Sequence, residues 1–256
     1  MNCRFRILLL LLLVPVCARG QELRSALPLE DGFLAAGECL AWLDAEGNVL
    51  KTHPVEFPLV SLAESNGQIY ALDTLGREVL RLSSDGEVQE RDKPPVVGRL
   101  RALASNRGML MAVTDAGEIL TRYDGRNWKV VAFNMQYAGY YPRMSWTAVA
   151  AGGGSIMVAG VREDGTPAAF VSSRGTVWSQ REVDYPEKLD CKPVSLSYDE
   201  LRDRFCLTGT GGVLLEMPGC SHCNSLKRYP VDTLYARACS GFKILLLGSD
   251  GFRKVE

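Results

Sequence analysis

The chain is poor in histidine and has no excess of charge. Two histidines, His53 and His222, are spread over 256 residues, and Lys plus Arg (29) nearly balance Asp plus Glu (30) for a net charge of −1. No global basic field exists to draw in nucleic acid or an anionic membrane. No Ser-His-Asp order stands out, and His53 beside Pro54 reads as a turn residue. The glycine run Gly152-Gly153-Gly154 sits between apolar alternating segments rather than between a strand and a helix, so it is no phosphate loop. Long helical periodicity is missing, and beyond the first twenty residues no apolar run is long enough to span a bilayer. What remains is ordinary globular composition, 46% hydrophobic and 23% charged, in a chain long enough to bury a sizeable core.

The first twenty residues stand apart. Arg4 and Arg6 precede the apolar stretch Ile7 to Val14, and the small residues of Ala18-Arg19-Gly20 suit cleavage before Gln21. This is the pattern of a secretory signal peptide. It predicts an exported protein (periplasmic, cell-surface or secreted) whose mature part, 21–256, is a single domain. Two of the eight cysteines, Cys3 and Cys17, lie in the leader. The other six, Cys39, Cys191, Cys206, Cys220, Cys223 and Cys239, are disulfide candidates, because an even number in an exported chain favours bridges. Six cysteines allow fifteen connectivities; Cys191 with Cys206, across one hairpin, and Cys39 with Cys239, stapling the chain ends, are two of them.

Repetition is the strongest signal. Leu100 to Val131 reads as four short alternating strands separated by Ser-Asn-Arg-Gly, Thr-Asp-Ala-Gly and Asp-Gly turns. GQIYALDTLG, from Gly67, aligns without a gap with GMLMAVTDAG, from Gly108, and each copy runs on through a third strand to an Asp-Gly turn. Looser copies begin at Ser155, Arg204 and Phe242. The strands before them align as LVSLAES, LRALASN, WTAVAAG, PVSLSYD and LYARACS. With Leu62, Leu103, Val149, Leu196 and Ala236 as equivalents, the copies recur every 41, 46, 47 and 40 residues. Four short strands per unit at that period predict an all-β fold, a β-propeller of four-stranded antiparallel blades. Four blades occupy about Leu59 to Pro230. The pieces from Phe33 and from Thr233 either pair to close one shared blade or make two short ones, giving five or six blades; Gln21 to Glu30 shows no period.

Two turns between third and fourth strands resemble the Asp-box of sialidase-like propellers, roughly Ser-x-Asp-x-Gly-x-x-Trp. One keeps Asp124, Gly125 and Trp128. The other, Ser172-Ser173-Arg174-Gly175-Thr176-Val177-Trp178, keeps Gly175 and Trp178 but lacks the acid, and Ser84-Asp85-Gly86 is a fragment. The resemblance implies a structural role for these residues, since in that family the box lies on the face away from the ligand. It does not imply sialidase chemistry: no placement of arginines, tyrosine and acids matches a family motif.

Binding is the expected use, by a non-catalytic binding or scaffold protein without a cofactor that recognises a glycan, peptide or protein partner. In a propeller the second-to-third and fourth-to-first loops share one face. The first set includes Asp73, Asp115, Arg162 and Asp164. The second includes the aromatic-rich segment 133–146, in which Tyr137, Tyr140, Tyr141 and Arg143 are ligand-binding candidates: flat rings with a polar rim suit sugars or peptides. The same rings could instead pack between blades. Two alternatives are a glycan-active, sialidase-like hydrolase, and a metal or redox protein using Cys220-Ser221-His222-Cys223, where zinc would still need a fourth ligand.

Overall fold

The computed structural model describes residues 22–123, 126–132, 143–173, 175, 178–181, 191–218 and 225–256. Their strands form six antiparallel sheets, taken in chain order. Blade 1 is β1 (Leu23–Leu29), β2 (Gly32–Gly37), β3 (Cys39–Asp44) and β4 (Val49–Pro54). Blade 2 is β5 (Leu59–Ser65), β6 (Gln68–Asp73), β7 (Val79–Leu82) and β8 (Val88–Asp92). Blade 3 is β9 (Leu100–Asn106), β10 (Met109–Thr114), β11 (Ile119–Tyr123) and β12 (Lys129–Ala132). Blade 4 is β13 (Met144–Gly152), β14 (Ser155–Arg162), β15 (Pro167–Ser172) and β16 (Ser179–Arg181). Blade 5 is β17 (Pro193–Asp199), β18 (Arg204–Gly209), β19 (Val213–Pro218) and β20 (Ser225–Arg228). Blade 6 has three strands, β21 (Leu234–Ser240), β22 (Lys243–Gly248) and β23 (Arg253–Val255). The first strand of each blade packs on the first strand of the next, and β21 packs on β1. The protein is a six-bladed β-propeller.

The second strands explain why the sequence alternates poorly there. GFLAAG, MLMAVT and RFCLTG are buried almost throughout, because each faces a neighbouring blade on both sides. Odd and even residues then go to different interfaces. Phe205 and Leu207 pack against Ala148, Ala150 and Met157 of blade 4. Cys206, one residue away, packs against Leu234, Ile244 and Leu246 of blade 6. Six apolar clusters fill the six interfaces in this way.

Three expectations are corrected. The stretch without a period contains β1, the innermost strand of blade 1, so that blade begins at Leu23 rather than Phe33. Its LRSALPL pattern is half-buried along nearly its whole length, since an inner strand touches both neighbours and the channel, and this erases alternation. The ring does not close through a shared sheet: blades 1 and 6 are separate and meet by packing, with Phe33, Ala35 and Leu43 against Ala236, Ala238, Leu245 and Leu247. His53 lies within β4, paired with Leu40, not in a turn.

No disulfide joins any two of Cys39, Cys191, Cys206 and Cys239; Cys220 and Cys223 lie outside the described residues. The two suggested bridges fail on side-chain direction. Cys191 lies in the blade 4–5 interface and Cys206 in the blade 5–6 interface, on opposite faces of blade 5. Likewise Cys39 lies between blades 6 and 1, and Cys239 packs against the cluster between blades 5 and 6. Hydrogen bonds take the place of the staple. The Tyr235 hydroxyl donates to Glu22 Oε1, and Ser240 Oγ donates to the Leu29 carbonyl at 2.8 Å. Removing both hydroxyls, in Tyr235→Phe/Ser240→Ala, should lower stability by about 2–4 kcal/mol, the neutral bond from Ser240 contributing roughly 1 kcal/mol and the bond to the Glu22 carboxylate about 1.5–3 kcal/mol. Urea melts of the double variant check this; a midpoint equal to wild type would mean that apolar packing alone closes the ring.

Candidate functional site

Every inner strand begins with the same irregularity. The register with the second strand slips between Leu23 and Ser25, Leu59 and Ser61, Trp146 and Ala148, Pro193 and Ser195, and Leu234 and Ala236. In β9 the slip leaves Arg101 without a partner between Leu100 and Ala102. A bulge leaves one residue per strand outside the ladder and re-aims it. Here those residues are Arg24, Val60, Arg101, Thr147, Val194 and Tyr235, and all six line the central channel. They form a ring at its mouth, on the face where the inner strands start.

The channel encloses about 710 Å³. Its wall is mainly aliphatic and hydroxylic, with Leu27, Ala102, Val149 and Leu196 beside Ser61, Ser105 and Ser195. Several hydroxyls tie one blade to the next. Ser25 Oγ accepts from Leu62 N and Ser61 Oγ from Leu103 N, both at 2.9 Å. Thr147 Oγ1 donates to the Pro193 carbonyl at 2.8 Å.

Two charged groups stand out along the channel. At the mouth, Arg24 Nη2 lies 2.5 Å from Glu22 Oε2, and its guanidinium sits 5.8 Å from the centre of the Tyr235 ring. The hydrogen bond from Tyr235, aided by Arg24, lowers the Glu22 carboxyl below its ordinary value despite some burial. Burial and the Glu22 carboxylate push the Tyr235 hydroxyl up to about 12. Deeper, between blades 5 and 6, Arg237 and Asp199 are both fully buried. Asp199 Oδ2 accepts from Arg237 Nη2 at 2.7 Å and from Arg202 Nη1 at 3.0 Å, and the Cys239 thiol lies 3.6 Å away. Burial acts to raise the Asp199 carboxyl, but the two guanidinium hydrogen bonds outweigh it and hold it down to about 2. Burial pushes the neighbouring Cys206 and Cys239 thiols up to about 12 and about 11.

Of the residues expected from the sequence, the structure brings together part of one set. Arg143, just before β13, lies 3.3 Å from Glu163 in the β14–β15 turn, and both are exposed. The fourth-to-first and second-to-third loops of blade 4 therefore meet on the mouth face. Asp164 caps that turn, accepting from Thr166 N at 2.8 Å, which lowers its carboxyl. Arg162 pairs in register with Met144. Tyr137, Tyr140 and Tyr141 lie outside the described residues, as do Asp124 and Gly125. Asp73 is not offered to solvent: it is buried and accepts from Gly76 N at 2.9 Å. Asp115 holds Arg99 N at 2.8 Å. The two Asp-box-like tryptophans are buried. Trp128 covers the blade 2–3 interface and donates to Asp92 Oδ2 at 2.6 Å, and Trp178 packs in the blade 3–4 cluster. Gly175 takes φ 74° and donates to Ser172 Oγ.

No family model matches the chain, and no curated protein matches it. Solved structures do. A virginiamycin B lyase from Staphylococcus aureus superposes with a TM-score of 0.65 at 10% identity, covering 92% of this chain and 84% of that one. YCF48 from Cyanidioschyzon merolae gives 0.60 at 11% identity, covering 93% and 96%. A nidogen/laminin complex gives 0.64 at 15% identity, covering 84% of each. At these identities the likeness shows the fold alone. It is a propeller likeness.

The mouth ring was missed in the sequence, although its signal is there. The second letter of LVSLAES, LRALASN, PVSLSYD and LYARACS, and the threonine of WTAVAAG, are the bulge residues Val60, Arg101, Val194, Tyr235 and Thr147. A column that varies in chemistry between an apolar residue before it and a small Ala or Ser after it marks a position facing a channel. Register also corrects the alignment in blade 6. Leu62, Leu103, Val149 and Leu196 each lie three residues before the end of their inner strand, and the residue so placed in β21 is Arg237, not Ala236.

Proposed function

We propose that the protein is an exported, non-catalytic binding or scaffold protein that takes a glycan, peptide or protein partner on the mouth face. The observation that carries this reading is the meeting of Arg143 with Glu163, which joins the two loop sets of blade 4 into one polar rim. The aromatic stretch 133–142, outside the described residues, immediately precedes Arg143 in the sequence. The leader 1–20 supports export, and among the described residues no helix is long and apolar enough to cross a membrane. The buried tryptophans Trp128 and Trp178 support kinship with Asp-box propellers as a structural matter. A nidogen/laminin complex among the structural neighbours supports a protein as one class of partner.

A glycan-active hydrolase is the second reading, favoured by Tyr235, Glu22 and Arg24 standing together at the mouth. A hydroxyl shifted upward is a poorer nucleophile at neutral pH, and this weighs for binding.

The test is a glycan and peptide array probed with wild type, Tyr140→Ala/Tyr141→Ala and Arg143→Ala/Glu163→Ala. Binding that falls at least about tenfold in both variants supports the rim, since anchor residues each contribute roughly 1–2 kcal/mol or more. Binding retained by both moves the site elsewhere. Turnover of a glycoside lost in Tyr235→Phe would establish the second reading instead.

A further inference from the structure

We propose that the central channel is a binding site for a small organic carboxylate with an apolar body, its carboxylate held at the mouth by Arg101. This site lies on the inner strands of the ring and does not depend on the blade 4 rim.

Charge at the mouth is unbalanced on one side. Arg24 is matched by Glu22, but Arg101 is exposed and makes no ion pair among the described residues. Arg77 and Arg99, which flank the same blade 2–3 seam, make none either. The nearby acids are already committed to backbone amides. Asp73 holds Gly76 N and Asp115 holds Arg99 N. Glu118 takes Val97 N and Gly98 N at 2.9–3.0 Å, together with the Thr114 hydroxyl. An arginine fork with no internal partner, fixed on a bulge at the entrance to a channel, matches a carboxylate in two parallel hydrogen bonds.

The channel supplies the second observation. Below the mouth its lining is small and aliphatic, with Leu27, Ala102, Val149 and Leu196, and a volume of about 710 Å³ falls within the range of small-molecule sites, roughly 300–1,000 Å³. These features select an amphipathic guest with a carboxylate head and an apolar stem. N-acyl amino acids with an apolar side chain have this form.

The probe pair is N-acetyl-phenylalanine and its uncharged amide, titrated calorimetrically into the purified protein at low and high salt. The acid should bind at least about tenfold tighter than the amide, the value of one charge-assisted hydrogen-bond pair, and should weaken with salt. Arg101→Gln, an exposed change that spares the fold, should remove that preference. Arg143→Ala/Glu163→Ala should leave the titration untouched, which separates this site from the rim. Equal binding of acid and amide, no heat from either probe at millimolar concentration, or an Arg101→Gln protein that still prefers the acid would each overturn the proposal.

Discussion

Replacing Arg237 by alanine should cost about 3–5 kcal/mol of stability, the range for breaking a buried ion pair by removing one partner. For a chain of this size that lowers the melting temperature by about 10 °C. The reason is the company Asp199 is left with. Arg202 keeps one hydrogen bond to its carboxylate, but Arg202 is one-third exposed while Asp199 is 0% exposed, so the buried charge loses its buried partner. The repeats supply the compensating design. The position of Arg237 is Leu62, Leu103 or Leu196 in other blades, and that of Asp199 is Ser65 in blade 2. The double variant Arg237→Leu/Asp199→Ser should therefore recover most of the loss, since an apolar replacement of a buried pair is often neutral. Single and double variants by thermal melts decide it: a double as unstable as the two singles combined would show that the pair does more than balance its own charges. The pair also sets an acid limit. Asp199 titrates at about 2 in the folded protein against 3.8 ordinarily, so its contribution, about 2 kcal/mol, is complete above pH 4 and is lost as pH falls toward 2. Arg237→Leu/Asp199→Ser should lack that part of the acid transition.

Phe205→Ala should destabilise by about 3–5 kcal/mol through lost burial and the cavity it leaves. Phe205 is 1% exposed in β18, packs against Tyr198 with ring centres 4.9 Å apart and planes tilted by 60°, and belongs to the cluster joining blades 4 and 5. Little can collapse into the space. Tyr198 is held at its hydroxyl by Asp203, and its ring already occupies the position where a side chain on Gly152 would sit. Phe205→Leu, which keeps most of the volume, should cost under about 2 kcal/mol. A Phe205→Ala protein within about 1 kcal/mol of wild type would mean that the two blades slide together to fill the gap, and that the interface is softer than its packing indicates.

These two residues also mark what the sequence could and could not reveal. Phe205 sits in RFCLTG, a plain buried strand whose place in the repeat is legible, and the blade period follows from such strands. Arg237 was hidden by its charge. Choosing equivalents by apolar character put Ala236 in the repeated column, where the fourth letter of LYARACS and the hydrogen-bond register both place Arg237. β1 was hidden for another reason, since an inner strand has no solvent face to impose alternation. The pairings Cys191 with Cys206 and Cys39 with Cys239 fail because parity says nothing of direction, and adjacent positions on a strand point into different interfaces. The blade 4 rim was legible because loop order in a propeller fixes which turns share a face.

The bulges at the start of the inner strands carry one more implication. A residue that takes no part in the ladder can be exchanged without shifting the strand or moving its equivalents around the ring, although Thr147 and Tyr235 also bond the next blade and changing them loosens that seam. Six such positions amount to an alphabet written on a fixed page: Arg, Val, Arg, Thr, Val and Tyr in this protein. Any other combination could be set in the same six places, and the ring would alter its choice of guest without altering its shape.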